Sequence, residues 1–143
     1  MKKFISLKRI VIYVIMACIG ELSFASTGFT YNDFTYNIID PTNKIVEVTS
    51  YLGSNNAIEL PTEVVSPIDE QTYAVEKIAD DAFSGSHITA ITLPLSIKTI
   101  GVTAFANCKN IEAISLPISV ETISNYAFFN CSNMKEVSLF LTQ

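Results

Sequence analysis

The chain has 143 residues, of which 49% are hydrophobic, and its formal net charge is −5 at pH 7. An acidic chain of this kind has no electrostatic footprint for a phosphate backbone, so its composition excludes nucleic acid as an expected partner. Cys108 and Cys131, without a nearby His or a further Cys, cannot complete a tetrahedral metal site, and no cofactor is predicted.

The segment 1–25 has the features of a secretory signal peptide. Four basic residues precede an apolar run over residues 10–19, and Ser23 and Ala25 satisfy the small-x-small rule for signal peptidase. The run is far shorter than the ~20 residues of a membrane span. We therefore expect cleavage after Ala25, which removes four of nine basic and one of fourteen acidic side chains and leaves a net charge of −8.

A second interpretation of the same segment concerns Cys18. The sequence Ile15-Met16-Ala17-Cys18 resembles a bacterial lipobox, in which the cysteine is lipidated and becomes the mature N-terminus. The alternative is that Cys18 is an apolar member of the signal core. Both outcomes export the domain, and contact with a membrane is expected only if Cys18 is lipidated.

Residues 26–56 are predicted to form a small β-rich cap at the N-terminus of the exported domain. Aromatic residues stand among polar ones over residues 29–37, which indicates a strand with one apolar face. A turn signal follows at Asp40-Pro41-Thr42-Asn43, and residues 45–51 are predicted to be a second strand.

Residues 57–143 contain an apolar pattern that recurs at a constant spacing. Its three copies are Ile88-x-x-Ile91-x-Leu93, Ile111-x-x-Ile114-x-Leu116 and Met134-x-x-Val137-x-Leu139. Between them an Ala-Phe pair recurs and places a ring at Phe83, Phe105 and Phe128. A fixed period in the twenties is typical of a leucine-rich repeat solenoid, because each coil buries its apolar face only against its neighbours.

Each coil is predicted to contain a short parallel strand, a bend and one helical turn. Alternation points Ile114 and Leu116 inward and Ser115 outward. Ser96 and Ser119 are expected to turn inward and bond backbone groups in the bend. The Ala-Phe segments are each expected to give about one helical turn, which is too short to stand alone and is held by rings stacking coil on coil.

The predicted fold class is therefore α/β. We expect a right-handed leucine-rich repeat solenoid of short parallel strands and short helical turns, preceded by the β cap. Ile58-x-Leu60-Pro61 anticipates the later strands and predicts a divergent first coil, with residues 66–73 as an inserted loop or hairpin. About three units of roughly 22–23 residues follow, a length within the range of leucine-rich repeats, and the last unit is incomplete.

The remaining reactive side chains do not form a catalytic constellation. Cys108 and Cys131 occupy the same place in successive coils, where parallel side chains hold the Cβ atoms wider apart than a disulfide prefers, so a ladder of buried thiols is expected. His87 is expected to be an exposed loop residue. Without a Gly-x-Ser-x-Gly motif or a phosphate-binding glycine loop, the sequence predicts that the protein is not an enzyme.

The repeats resemble those of a known family. The unit from Ile100 to Pro117, through Ala104-Phe105-Ala106-Asn107-Cys108, is similar to the repeat of the BspA-like leucine-rich repeat surface proteins, and the copy ending in residues 126–133 is closer still. The resemblance covers about residues 57–143. It implies a curved solenoid, a secreted or cell-surface location and, for some members, attachment to host proteins or other cells, with no catalytic residues to carry over.

The predicted binding surface is the outward face of the repeat strands, which is expected to contact an extracellular protein or glycan. Its nine residues are Thr89, Ala90, Thr92, Glu112, Ala113, Ser115, Lys135, Glu136 and Ser138. The alternative is a structural or assembly module, or a fragment of a longer repeat protein. The sequence stops at residues 139–143, directly after a strand, so unpaired backbone and apolar side chains are expected to invite self-association at this edge.

Overall fold

The computed structural model describes residues 27–140, which form eleven strands and no helix. The strands are β1 (Gly28–Tyr31), β2 (Phe34–Asp40), β3 (Ile45–Tyr51), β4 (Ala57–Glu59), β5 (Glu63–Val65), β6 (Thr72–Ile78), β7 (Ala90–Thr92), β8 (Thr99–Ile100), β9 (Ala113–Pro117), β10 (Thr122–Ile123) and β11 (Glu136–Phe140). The predicted signal peptide, Cys18 and residues 141–143 lie outside the described residues. Within the described part of the chain no helix is long and apolar enough to cross a membrane.

The N-terminal aromatic segment is a hairpin rather than the single strand that its alternation predicts. Strands β1 and β2 pair antiparallel, and the chain reverses between Tyr31 and Phe34. Asn32 has a φ of 51°, a left-handed conformation that asparagine tolerates better than most residues. The reversal stacks Phe29 on Tyr36 with ring centroids 5.5 Å apart, so the two strands form one apolar layer.

The second predicted strand is confirmed as β3, which joins the hairpin to the repeats. Strand β3 pairs antiparallel with β2 and parallel with β6, and the parallel ladder continues through β8 to β10 in one seven-stranded sheet. Val46 and Val48 of β3 are fully buried. The apolar core of the hairpin is therefore continuous with that of the repeats.

A four-stranded parallel sheet is formed by β4, β7, β9 and β11, and its register follows the repeat. Thr92 lies opposite Ser115, and Ser115 lies opposite Ser138. The separation along the chain is longer between β4 and β7 than between the other paired strands, because Ala57 lies opposite Ala90. The extra residues include β5, which pairs antiparallel with β6, and the insertion predicted at residues 66–73 contains the loop of this hairpin and the start of β6. Two parallel ladders with a shared repeat are compatible with the predicted solenoid.

The predicted single helical turns are wrong. Residues 80–86, 102–108 and 125–131, called here the first, second and third Ala-Phe turns, are successive tight turns. In each of them the residues two before and two after the phenylalanine have positive φ, between 51° and 69°. These residues are Asp81 and Gly85, Thr103 and Asn107, and Tyr126 and Asn130.

Competition between two hydrogen-bonding patterns explains the absence of a helix. The N–H groups of residues 103, 105 and 107 donate to the carbonyls of residues 125, 127 and 129 at 3.2, 2.7 and 2.8 Å. The first turn donates to the second in the same way. Because every second N–H points to the next coil, a continuous ladder of α-helical bonds cannot form, and the N–H groups between them donate to the carbonyl three residues back.

The core contains the ring stack that the sequence predicts. The centroids of Phe83 and Phe105 are 5.1 Å apart and those of Phe105 and Phe128 5.4 Å, with the rings within 6° of parallel. The bend serines bond backbone of the preceding coil as expected, Ser96 to Val75 O at 2.7 Å and Ser119 to Ile97 O at 2.8 Å. The coils are thus joined by both apolar packing and partly buried polar contacts.

Replacement of the middle ring tests this packing. Phe105 is fully buried between two other rings, so Phe105→Ala opens a cavity shared by two coils and should lower the free energy of unfolding by roughly 3–5 kcal/mol. Thr92→Ala removes an exposed hydroxyl and should change it by less than about 0.5 kcal/mol. Urea denaturation of both variants measures the difference. Equal midpoints would contradict the coil register described above.

Candidate binding face

The strand face predicted as a binding surface is formed by the four-stranded sheet. Side chains alternate along each strand, so that Ile91 and Ile114 are buried while Thr92 and Ser115 are exposed. The buried side chains pack into the core and hold the strands against it. The outward side chains of β7 and β9 therefore project from strands that the core anchors on their opposite face.

The structure brings all nine predicted face residues onto one surface. Eight are exposed, and Ser138 is partly buried. Two further residues, Ala57 and Glu59 of β4, are exposed on the same face opposite Ala90 and Thr92. Sequence reasoning missed them because β4 and β7 are separated along the chain by more than one repeat, although the Ile58-x-Leu60 pattern marked the strand.

The face is small in side-chain size and weakly charged. The hydroxyls of Ser115 and Ser138 are 3.1 Å apart and share a hydrogen bond. Lys135 Nζ lies 3.0 Å from Glu112 Oε2, but both side chains are largely exposed, so this pair adds little stability. Thr89 is held by its N–H and its hydroxyl, which donate to Asn56 O at 2.7 and 3.2 Å. The surface offers hydroxyl, carboxylate and ammonium groups without an aromatic anchor.

The two repeat cysteines are free thiols, in agreement with the predicted ladder. Cys108 Sγ donates to Phe83 O at 2.9 Å, and Cys131 Sγ donates to Phe105 O at 3.0 Å. Burial raises the pKa of Cys108 to about 11 and also raises the pKa of the less buried Cys131. Both thiols are therefore protonated near neutral pH and poorly reactive.

The acidic residues of the first Ala-Phe turn have structural partners. Asp80 accepts a hydrogen bond from the N–H of Val102 at 2.8 Å, and Asp81 accepts one from the Thr103 hydroxyl at 2.6 Å. His87 is exposed, as expected, with its ring 6.3 Å from that of Tyr51. Among residues 27–140 no three His, Cys, Asp or Glu side chains are grouped closely enough to hold a metal ion.

Two clefts lie beside the N-terminal cap. One, of about 350 Å³, separates Ser50 and Tyr51 of β3 from residues 81–87 and is called here the first-turn cleft. The other, of about 320 Å³, lies between the β1–β2 hairpin and the segment after β4, with Phe34 and Leu60 in its lining. Sequence reasoning predicted neither cleft.

Comparison with protein families gives one match. The model of the BspA type leucine rich repeat region (6 copies) matches residues 70–142, about half of the chain. No curated protein matches the sequence.

Three solved structures are similar to this chain. A leucine-rich repeat protein from Bacteroides capillosus has 22% identity and a TM-score of 0.62 over 80% of this chain and 99% of its own. A leucine rich cell surface protein from Faecalibacterium prausnitzii has 24% identity and a TM-score of 0.69, with 80% of this chain covering 32% of that protein. A leucine rich repeat protein from T. pallidum has 27% identity and a TM-score of 0.66, with 76% covering 48%. This chain thus spans about a third and about half of the latter two.

The thiol ladder predicts a dependence of stability on alkaline pH. The pKa of Cys108 is about 11 in the folded chain against an ordinary value of 9.0, so the folded state holds the proton more tightly. This contribution is complete below pH 9 and is lost as the pH rises from 9 towards 11. The stability advantage of wild type over Cys108→Ala, measured by urea denaturation, should shrink over that range. A difference that stays constant with pH would contradict the assignment, since other titrating groups are common to both proteins.

Proposed function

Because the chain belongs to the family of BspA-type leucine-rich repeat proteins, we propose that it is a non-enzymatic binding protein of the cell surface or the extracellular space. Its binding surface is the outward face of the four-stranded sheet, and its partner is a protein or a glycan. The observation that carries the proposal is the regular row of exposed small polar side chains on β7 and β9, whose inward side chains are buried.

The charges of the described residues support a protein or glycan partner over nucleic acid. Of the lysines in residues 27–140, three pair with glutamates of an adjacent strand or coil at 2.8–3.0 Å. These are Lys77 with Glu47, Lys98 with Glu76 and Lys135 with Glu112. Paired lysines leave little positive charge for phosphates, whereas hydroxyls and carboxylates suit the polar groups of a glycan or a peptide.

Binding rather than catalysis agrees with the use of the polar side chains. Asp80 and Asp81 bond the next coil, and His87 faces solvent beside an aromatic ring. A general base needs a nucleophile within hydrogen-bond reach, and neither cysteine thiol contacts His87. These contacts favour a surface that binds a partner over a site that catalyses a reaction.

The proposed location rests on the N-terminal segment and on one similar protein. Residues 1–25 have the pattern of a secretory signal, and the similar F. prausnitzii protein is described as a cell surface protein. Lipidation at Cys18 would leave the domain exported and would attach it to a membrane. Cleavage after Ala25 would instead release the domain.

The test of the binding face places a long charged side chain on it. Thr92→Arg should block close approach of a partner to β7, while Thr122→Arg, an equally exposed change on β10 of the other sheet, should not. Both variants of the exported protein are immobilised and exposed to extracellular proteins and to a glycan array. We expect Thr92→Arg to reduce capture about tenfold or more relative to Thr122→Arg. Equal capture by the two variants would show that the partner binds elsewhere.

A second candidate function is assembly through the last described coil. Ile123, Val137 and Leu139 occupy inward positions but are 49%, 51% and 73% exposed. Their equivalents one coil earlier, Ile100, Ile114 and Leu116, are at most 2% exposed. A further layer of chain covers the earlier residues, so this apolar end is suited to another coil, from a second copy or from a longer repeat array.

Self-association through this end predicts a specific charge effect. Val137→Lys with Leu139→Lys puts two charges on the apolar end and should shift the sedimentation of the exported protein towards monomer. Ser115→Lys with Ser138→Lys adds the same charge to the outward face and should leave association unchanged. Wild-type protein that is a monodisperse monomer at tens of micromolar would refute assembly by this route.

A further inference from the structure

The first-turn cleft exists because one layer of the stack lacks its turn. The link from β8 to β9 spans residues 101–112 and contains the second Ala-Phe turn, and the link from β6 to β7 spans 79–89 and contains the first. The link from β3 to β4 is only residues 52–56. The layer before the first Ala-Phe turn therefore crosses directly from one sheet to the other, and a gap of about 350 Å³ remains beside it.

The short link is fixed in place, which keeps the gap open. The Tyr51 hydroxyl donates to Asn55 O at 3.3 Å and accepts from Asn55 N–H at 2.9 Å. A Cβ atom at Gly53 would overlap the Tyr51 ring, so only glycine permits this approach. The ring also contacts Phe34 of the cap, with centroids 5.1 Å apart. Collapse of the link into the cleft would break these contacts.

Among residues 27–140, no donor reaches three backbone acceptors of the first Ala-Phe turn beside the cleft. The carbonyls of residues 102, 104 and 106 accept N–H groups from the preceding turn, and those of residues 125, 127 and 129 do so one layer later. The corresponding carbonyls of the first turn belong to Asp80, Ala82 and Ser84. No hydrogen bond reaches these three oxygens from the residues that the structure describes. They face the preceding layer, on the side where Ser50 and Tyr51 lie.

We propose that the first-turn cleft binds a short peptide segment of another protein, one that presents backbone N–H groups at three alternate residues and an aromatic side chain on the middle one. The two later turns show what such a row of carbonyls accepts, since each of them receives three N–H groups at alternate positions. In both layers the donor segment also brings a ring, stacked at 5.1 and 5.4 Å. The cleft volume is at the lower end of the about 300–1,000 Å³ of small-ligand sites, so the segment is short.

The peptide is favoured over a sugar by the geometry of the acceptors. Carbonyls of alternate residues in an extended or tightly turned chain match the spacing of N–H groups in another chain, as in strand addition. Sugar hydroxyls could donate to single carbonyl oxygens but would not match the spacing of all three. The aromatic lining of Tyr51 and His87 suits either ligand and does not decide between them.

The experiment uses a capped hexapeptide with the sequence of residues 125–130, Asn-Tyr-Ala-Phe-Phe-Asn, which supplies the donor pattern of an Ala-Phe turn. It is titrated into the exported protein by calorimetry and by amide NMR. We expect binding with shifts at Gly85 and Ser86. Methylation of the peptide nitrogen corresponding to Phe128 removes the central donor and should weaken binding about tenfold or more, while methylation at the position of Ala127 should not.

Protein variants locate the site. Ser84→Trp fills the cleft from its exposed rim and should abolish the binding, while Ser132→Trp adds the same ring to an exposed loop and should leave it unchanged. Thr92→Arg on the strand face should also leave it unchanged, so failure of the proposed strand-face function is distinguishable. Absence of binding, equal binding of the two methylated peptides, or displacement of the peptide by a neutral oligosaccharide would each overturn the proposal.

Discussion

Backbone hydrogen bonds between successive Ala-Phe turns are the constraint on which the rest of the structure depends. Every second N–H of a turn must point at the next layer, so the turn cannot be a helix and must contain two left-handed residues. Glycine or asparagine occupies one of these positions, at Gly85, Asn107 and Asn130, where their tolerance of positive φ lowers the strain. The same bonds set the spacing at which the phenylalanine rings meet.

Side chains repeat the pattern that the backbone imposes. Asn130 donates to Asn107 at 2.8 Å, and the serine hydroxyls of β9 and β11 meet at 3.1 Å, in each case across one repeat. Stability in such a stack is approximately a sum of coil and interface terms, because each coil contacts only its neighbours. The outermost layers therefore have fewer partners than the middle one. Both proposed sites other than the strand face lie at such layers, the cleft beside the first turn and the apolar surface on the last coil.

The sequence predicted those features that follow from its periodic spacing of apolar residues. Apolar spacing located the repeat strands and the ring stack, and the outward positions of the strand face follow from alternation alone. The sequence-based prediction was wrong where a single residue or a tertiary hydrogen bond determines the local structure. The reversal at Asn32 divides an alternating segment into two strands, and the bonds between layers override the helical preference of the Ala-Phe segments. The cleft was not predicted because it results from the absence of an Ala-Phe turn in the short link between β3 and β4. Its shape also depends on the strand register, which is known only from the folded structure.

The strand face and the first-turn cleft offer different kinds of contact. The face is rigid and polar with small side chains, so it can align a partner but holds no deep anchor. The cleft has aromatic lining and free acceptors, which can fix one short segment. His87 lines the cleft, and Thr89, close by in the chain, belongs to the face. Under the proposal, a peptide in the cleft lies near the start of the strand face, where even weak additional contacts become intramolecular and add to the total affinity.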